Sequence, residues 1–400
     1  MKKIKFILTF FLLLNLYIYV SFITLIPNNI VLLEGEIYEP RKIFGIEFIE
    51  VTETSNDDIN TSKLEIKLFG KINLKDVVIT KMKNTKVVPV GKIIGLKMYT
   101  NGVLVVGVSE IEDTNNILNK PYENTDIKSG DTILKINENI VENIDNLKRI
   151  VNESKGEELN LTVFRNGSII NTDIKPIKTD ESEYKIGLWV KDAATGVGTM
   201  SFYIPETNEY GILGHGITDT DTNNLINIDS GELVTAKIIS LKKGENGVPG
   251  EIKGTIINSQ TIGDIRKNTQ FGVYGKLNNI TALNIDSSKA IEIALRNEIK
   301  EGKATVLCAF NENNTVNEYE IEIEKIYIDN DCNNKSMLIK IVDEKLLEET
   351  GGIIRGLSGA PIIQNGKFIG AITNVLVSDP SVGYAIFADL MVKELSKTID

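Results

Sequence analysis

Over most of the chain apolar and polar residues alternate with a period of two, which predicts strands rather than helices. Leu64-Glu-Ile-Lys-Leu-Phe69, Lys86-Val-Val-Pro-Val90, Ile186-Gly-Leu-Trp-Val190, Glu320-Ile-Glu-Ile-Glu324 and Met337-Leu-Ile-Lys-Ile-Val342 each read as a short strand bounded by turn residues. Two stretches depart from this. Ile144-Asp-Asn-Leu-Lys-Arg-Ile-Val151 carries helical spacing, and Phe6 to Ile26 is apolar apart from Thr9, Asn15, Ser21 and Thr24. As a helix that second stretch is about 31 Å long, the thickness of a bilayer core. It follows Lys2, Lys3 and Lys5 and ends at Pro27 without a small-x-small exit, which favours an uncleaved anchor over a cleaved signal peptide. The lysines then stay cytoplasmic and everything after the anchor lies outside.

Five segments follow: a basic tip (1–5), the anchor (6–26), an N-terminal β segment (27–95), an α+β segment (97–178) and a glycine- and strand-rich segment (183–400). Thr52 to Ser62 reads as a loop, and the lone Trp189 as a core residue. With 400 residues, 42% of them hydrophobic, the chain is long enough for two or three domains with real cores. A net charge of −11 without any basic block argues against a nucleic-acid partner.

The scarce residue types exclude more. One histidine cannot build a His-rich zinc site, and Cys308 and Cys332 form no CxxC, so no metal or other cofactor is expected. The two cysteines are either one disulfide or two thiols. Asp219-Thr-Asp-Thr-Asn-Asn has the start of a calcium loop, but lacks its central glycine and has Ser230 where the twelfth ligand belongs.

Chemistry concentrates in Gly356-Leu-Ser-Gly-Ala-Pro361. A serine between glycines is a tight turn or a nucleophile. Here the two-residue spacing places the Gly356 and Ser358 amides to form an oxyanion hole, as in chymotrypsin-like enzymes. An α/β-hydrolase elbow is disfavoured. Position 360 is alanine, Asn365-Gly366 announces a hairpin rather than a helix, and no histidine follows the serine. The only histidine lies in Tyr210-Gly-Ile-Leu-Gly-His-Gly-Ile-Thr-Asp219, 143 residues before Ser358, so a His base must be His215. Spacing leaves the triad carboxylate open among Asp219, Asp221, Asp264 and Asp343. A Ser-Lys dyad using Lys340 or Lys367 is the rival within enzymes. The expected fold of this segment is a trypsin-like double β-barrel.

Asn101-Gly-Val-Leu-Val-Val-Gly-Val108, Ser129-Gly-Asp-Thr-Ile-Leu-Lys-Ile-Asn137 and the helix after it resemble a bacterial PDZ domain. That resemblance implies a groove for a peptide or for the protein's own chain, with amides at Gly102, Val103 and Leu104 capturing a carboxylate. Together with Gly214-His215 to Asp219 and Gly356 to Gln364, the whole chain resembles the stage IV sporulation protein B family, membrane-anchored PDZ serine peptidases of endospore-forming bacteria. The resemblance implies Ser358 and His215 as catalytic residues and Asp343 as their acid. It further implies a single-pass protein of the forespore inner membrane with its catalytic domain extracytoplasmic. Such a protein cleaves itself and then the regulator of an intramembrane protease, releasing a late sigma factor. The chain departs from the family at Ala360, usually serine, and at Asn374, often histidine. A non-catalytic PDZ tether that recruits a partner protease is the alternative from another class.

Overall fold

The structure is a computed structural model that describes residues 9–10, 13–14, 17, 19–21, 23–40, 44–51, 61–165, 167–329 and 333–396, without the side chains of residues 258–259. Among these no helix is long and apolar enough to cross a membrane, so the expected anchor is not supported here; much of 6–26 falls outside the described residues. Residues 52–60 of the expected loop, and Cys332, also fall outside. The first unit is a four-stranded sheet in which Asn29–Leu33 runs parallel to Ile72–Met82, followed by Thr61–Leu68 and Ile46–Val51. Alternation in Thr61–Leu68 buries Leu64 and Ile66 between the charged Lys63, Glu65 and Lys67, which is why the pattern is readable.

Ile93–Val108 then enters a ring of antiparallel strands. It pairs with Ile228–Lys242, and Glu251–Thr269, Gly272–Leu277, Glu209–Ile212 and Leu188–Tyr203 follow in turn. Leu188–Tyr203 pairs back onto Ile93–Val108, which closes six staves around Leu96, Met98, Met200, Tyr210, Ile212, Leu233 and Val273. Ile93–Val108 therefore crosses residue 97, where composition suggests a boundary between segments.

The same strand continues into an α+β module. Val103 and Leu104 pair with Ile133 and Thr132 of Thr132–Ile136, beside which lie Leu159–Arg165 and Ser168–Ile174. The helix Ile144–Glu153 starts because Asn143 accepts the Asn146 amide, an N-cap worth about 1 kcal/mol. Its buried face, Leu147, Ile150 and Val151, covers Val103, Val105, Ile133 and Leu161. Each such side chain contributes about 1.5–3 kcal/mol of hydrophobic burial. Trp189, expected in the core, is 64% exposed, because its strand turns Leu188 and Val190 inward and leaves residue 189 facing water.

The last unit is a closed six-stranded barrel of Gly302–Cys308, Asn317–Ile326, Met337–Ile341, Asp379–Phe387, Lys367–Leu376 and Pro361–Gln364. Asn365 and Gly366 form the expected hairpin turn, with φ of 52° and 75°. A single apolar cluster runs from this barrel into the ring, joining Phe368, Ile372 and Ile386 to Phe202, Ala236 and Ile252, so the two closed sheets share a packed seam. A buried Arg296–Asp389 ion pair at 2.8 Å ties the segment entering the barrel to the C-terminal helix Ala388–Ser396.

Candidate active site

His215 and Ser358 both lie at that seam. His215 follows Glu209–Ile212 through a strained reversal: the Gly214 amide bonds to the Ile212 carbonyl at 2.9 Å across Leu213, whose φ is 70°. A positive-φ leucine in an i→i+2 turn costs on the order of 1–3 kcal/mol and is held only because its surroundings insist on it. Those surroundings belong to the nucleophile segment. Gly359 is packed so tightly on the Thr199 carbonyl and the Leu213 backbone that no side chain fits, and its φ is 97°. Gly214 abuts the Thr373 and Ile386 side chains of the second barrel.

Thr199 joins the pieces. Its carbonyl accepts the Leu213 amide at 3.2 Å and its hydroxyl donates to the Gly356 carbonyl at 2.6 Å. Ser358 is partly accessible, and its Oγ donates to the Thr373 carbonyl at 2.8 Å rather than to His215. The turn leaves two donors unused. Leu357, Gly359 and Ala360 give their amides to Ile354, Ile372 and Leu357 carbonyls, whereas the Gly356 and Ser358 amides meet no acceptor among the described residues. Gly356 can take this conformation, with φ of 104°, because it lacks a Cβ. Two free amides flanking a serine hydroxyl are the makings of an oxyanion site.

The His215 Nδ1 lies 2.9 Å from the Gly216 carbonyl. A carbonyl only accepts, so Nδ1 carries the proton and Nε2 holds the lone pair of the neutral ring. Burial pushes the His215 pKa below that of ordinary imidazole, partly offset by this hydrogen bond. The ring is therefore a neutral base at physiological pH.

The carboxylates are occupied elsewhere. Asp343 caps the helix Glu344–Thr350, accepting the Leu346 amide at 3.0 Å and the Glu320 amide at 3.3 Å, and makes no contact with His215. Its neighbours are the Cys308 thiol and the Tyr319 phenol, both pushed up to about 12, chiefly by burial. Cys308 is a free, buried thiol. Asp219 and Asp221 hold Lys191, and Asp264 holds Arg266 and the Lys276 amide. Lys367 is paired with Glu298 at 2.6 Å, which raises its pKa, the wrong direction for a dyad base; Lys340 sits mid-strand opposite Glu322.

Gly102, Val103 and Leu104 are not brought to an open edge. Leu104 pairs with Thr132 on one side and Lys191 on the other, Val103 pairs with Ile133, and Gly102 is pressed on the Ile133 carbonyl. The chain's own Leu188–Val190 lies antiparallel beside Val105–Val108, between that edge and the helix. An open cleft of 740 Å³ remains between Ile144–Glu153 and residues 184–190. Sequence reasoning missed Thr199 and Thr373, because they act on backbone groups and belong to no motif. Asn374, where the family often has histidine, is exposed next to Thr373.

No curated protein sequence matches the chain. Among solved structures, the Rv3671c protease in an inactive form is similar at 12% identity, covering 50% of this chain and 83% of that one with a TM-score of 0.28. The model of the SpoIVB peptidase S55 family matches residues 182–392. That match spans more than half of the chain and takes in both His215 and Ser358, and the chain accordingly belongs to the SpoIVB peptidase S55 family and is a serine peptidase.

Proposed function

We propose that this chain is a membrane-anchored endopeptidase that processes itself and then cleaves the membrane-bound regulator of an intramembrane protease, triggering release of a sporulation sigma factor. The observation that carries the catalytic part is the pair of unused amides at Gly356 and Ser358, in a turn wedged against the segment that bears the only histidine. Ser358 Oγ exchanges the Thr373 carbonyl for His215 Nε2, loses its proton to that nitrogen and attacks the scissile carbonyl. The two amides stabilise the resulting oxyanion, and the proton then passes from Nε2 to the leaving amine.

The α+β module serves as a PDZ-type presenter. Its strand edge at Val105–Val108 is filled by the chain's own Leu188–Val190, and the 740 Å³ cleft beside the helix remains for a segment of substrate. Targeting to the forespore inner membrane, through residues 6–26, completes the reading. A fluorophosphonate probe is expected to label wild type and not Ser358→Ala. Labelling that persists in the variant would remove Ser358 as nucleophile. Complementation of a deletion strain by Ser358→Ala would instead favour a non-catalytic tether.

A further inference from the structure

The group facing the inner nitrogen of His215 is a peptide unit. Its carbonyl, that of Gly216, accepts from Nδ1 at 2.9 Å. The amide of the same unit, that of Ile217, donates to Asn268 Oδ1 at 2.8 Å. A peptide unit is planar, so fixing its N–H also fixes the direction of its carbonyl. Asn268 Nδ2 meanwhile donates to the carbonyls of Ile217 and Ile226, both at 2.8 Å, and so clasps the two arms of the loop that leaves His215. Asn268 itself sits in Glu251–Thr269, paired with Val273 inside the six-stave ring, on a rigid element. Gly216 is packed so closely on the Thr269 carbonyl and the Leu225 side chain that a Cβ would collide with both.

We infer that Asn268 is a positioning residue for the catalytic imidazole, acting through the Gly216–Ile217 peptide that faces its Nδ1. The inference rests on His215 being the general base. An amide whose N–H is hydrogen-bonded is polarised, and its carbonyl becomes a better acceptor by roughly 10–30% per bond. When Nε2 takes the Ser358 proton, the positive ring is held by a row of aligned dipoles: Nδ1–H to the Gly216 oxygen, then the Ile217 N–H to Asn268 Oδ1. No proton moves along this row; Nδ1 keeps its own throughout. Asp219, Asp221 and Asp264 are committed to Lys191, Arg266 and backbone amides, so the row has no competitor among the carboxylates nearest in sequence.

With one histidine in the chain, the imidazole can be followed by NMR without ambiguity. In full-length Ser358→Ala, titrating that ring is expected to move the Ile217 amide and the Asn268 side-chain amide resonances with the same midpoint. Resonances that stay still through the His215 titration would overturn the inference, whatever the protein's activity. In the chain with Ser358 intact, Asn268→Ala is expected to slow fluorophosphonate labelling about 10²-fold, the size of a small misplacement of a catalytic group. Asn268→Ala should move the ring's midpoint down and Asn268→Asp, which keeps an acceptor and adds charge, should move it up. Equal midpoints in the parent chain and in folded Asn268→Ala and Asn268→Asp variants would show that the clasp is only structural. Loss of labelling in every chain, with the NMR coupling intact, would count against the peptidase mechanism and not against this link.

Discussion

Replacing Asp343 separates two roles that differ by orders of magnitude. As the N-cap of Glu344–Thr350 its carboxylate takes the Leu346 amide at 3.0 Å and the Glu320 amide at 3.3 Å. Removing a cap costs about 1 kcal/mol, within a range of roughly 0.5–2. For a unit of this size, 1 kcal/mol lowers Tm by about 2–4 °C. Asp343→Ala should therefore melt a few degrees lower, while Asp343→Ser, which caps equally well, should melt close to wild type. Neither change reaches His215, so the labelling rate of the folded protein should fall less than tenfold. The carboxylate of a Ser-His-Asp triad behaves otherwise: losing it costs about 10⁴ in kcat with little effect on stability. The measurement is thermal melting and fluorophosphonate labelling on all three proteins. An Asp343→Ser variant that keeps its Tm and loses a thousandfold in labelling would refute the cap reading and make Asp343 the acid that the family resemblance implies.

Three further outcomes follow from the geometry. Because His215 is held below the usual imidazole pKa by burial, its base form persists to lower pH, so the acid limb of the labelling-rate profile should lie below about 6.5, the ordinary imidazole value. The same depression stabilises the fold fully above that ordinary value and is lost as pH falls through the folded-state pKa, so Tm in Ser358→Ala should decline across that window and less so in a chain also carrying His215→Gln. Gly359→Ala must add a Cβ at φ of 97° against the Thr199 carbonyl and Leu213, and is expected to cost roughly 2–5 kcal/mol from backbone strain and overpacking together, with labelling lost; a near-native melt would disprove this packing. Arg296→Ala leaves Asp389 buried without its partner and should destabilise by about 3–5 kcal/mol in denaturant unfolding, whereas a loss under about 1 kcal/mol would mean that water reaches the pair.

What could be read from the sequence was local. Alternation announced Thr61–Leu68 and Asn317–Ile326, helical spacing announced Ile144–Glu153, and Asn365-Gly366 announced its hairpin. The glycine frame of Ser358 and the lone His215 pointed to the seam because both depend on residue type rather than on context. The family resemblance alone names Asp343 as the acid, since spacing leaves four aspartates open; an aspartate ahead of a short helix is also a good cap, and in the fold its carboxylate takes that place. Asn268 left no trace, since its effect passes through a backbone unit contributed by another part of the chain. Ring closure was equally silent. The pairing of Leu96 with Leu233 on one side and Gly196 on the other joins positions about a hundred or more residues apart, and periodicity carries no information at that range.

One stave of the six-strand ring, Ile93–Val108, comes from well before the region that the family model matches. A fragment starting at residue 182 would hold every catalytic group and still lack that stave. Leu188–Tyr203 and Ile228–Lys242 would then face each other across a gap, as two long unpaired edges open to aggregation. The converse is a fragment-complementation rule. If the chain is cut anywhere between Ser109 and Gly187, the upstream piece stays laced into the ring by its ladder on both sides and need not fall away. Self-cleavage in that stretch would thus yield a two-chain enzyme rather than a released catalytic domain.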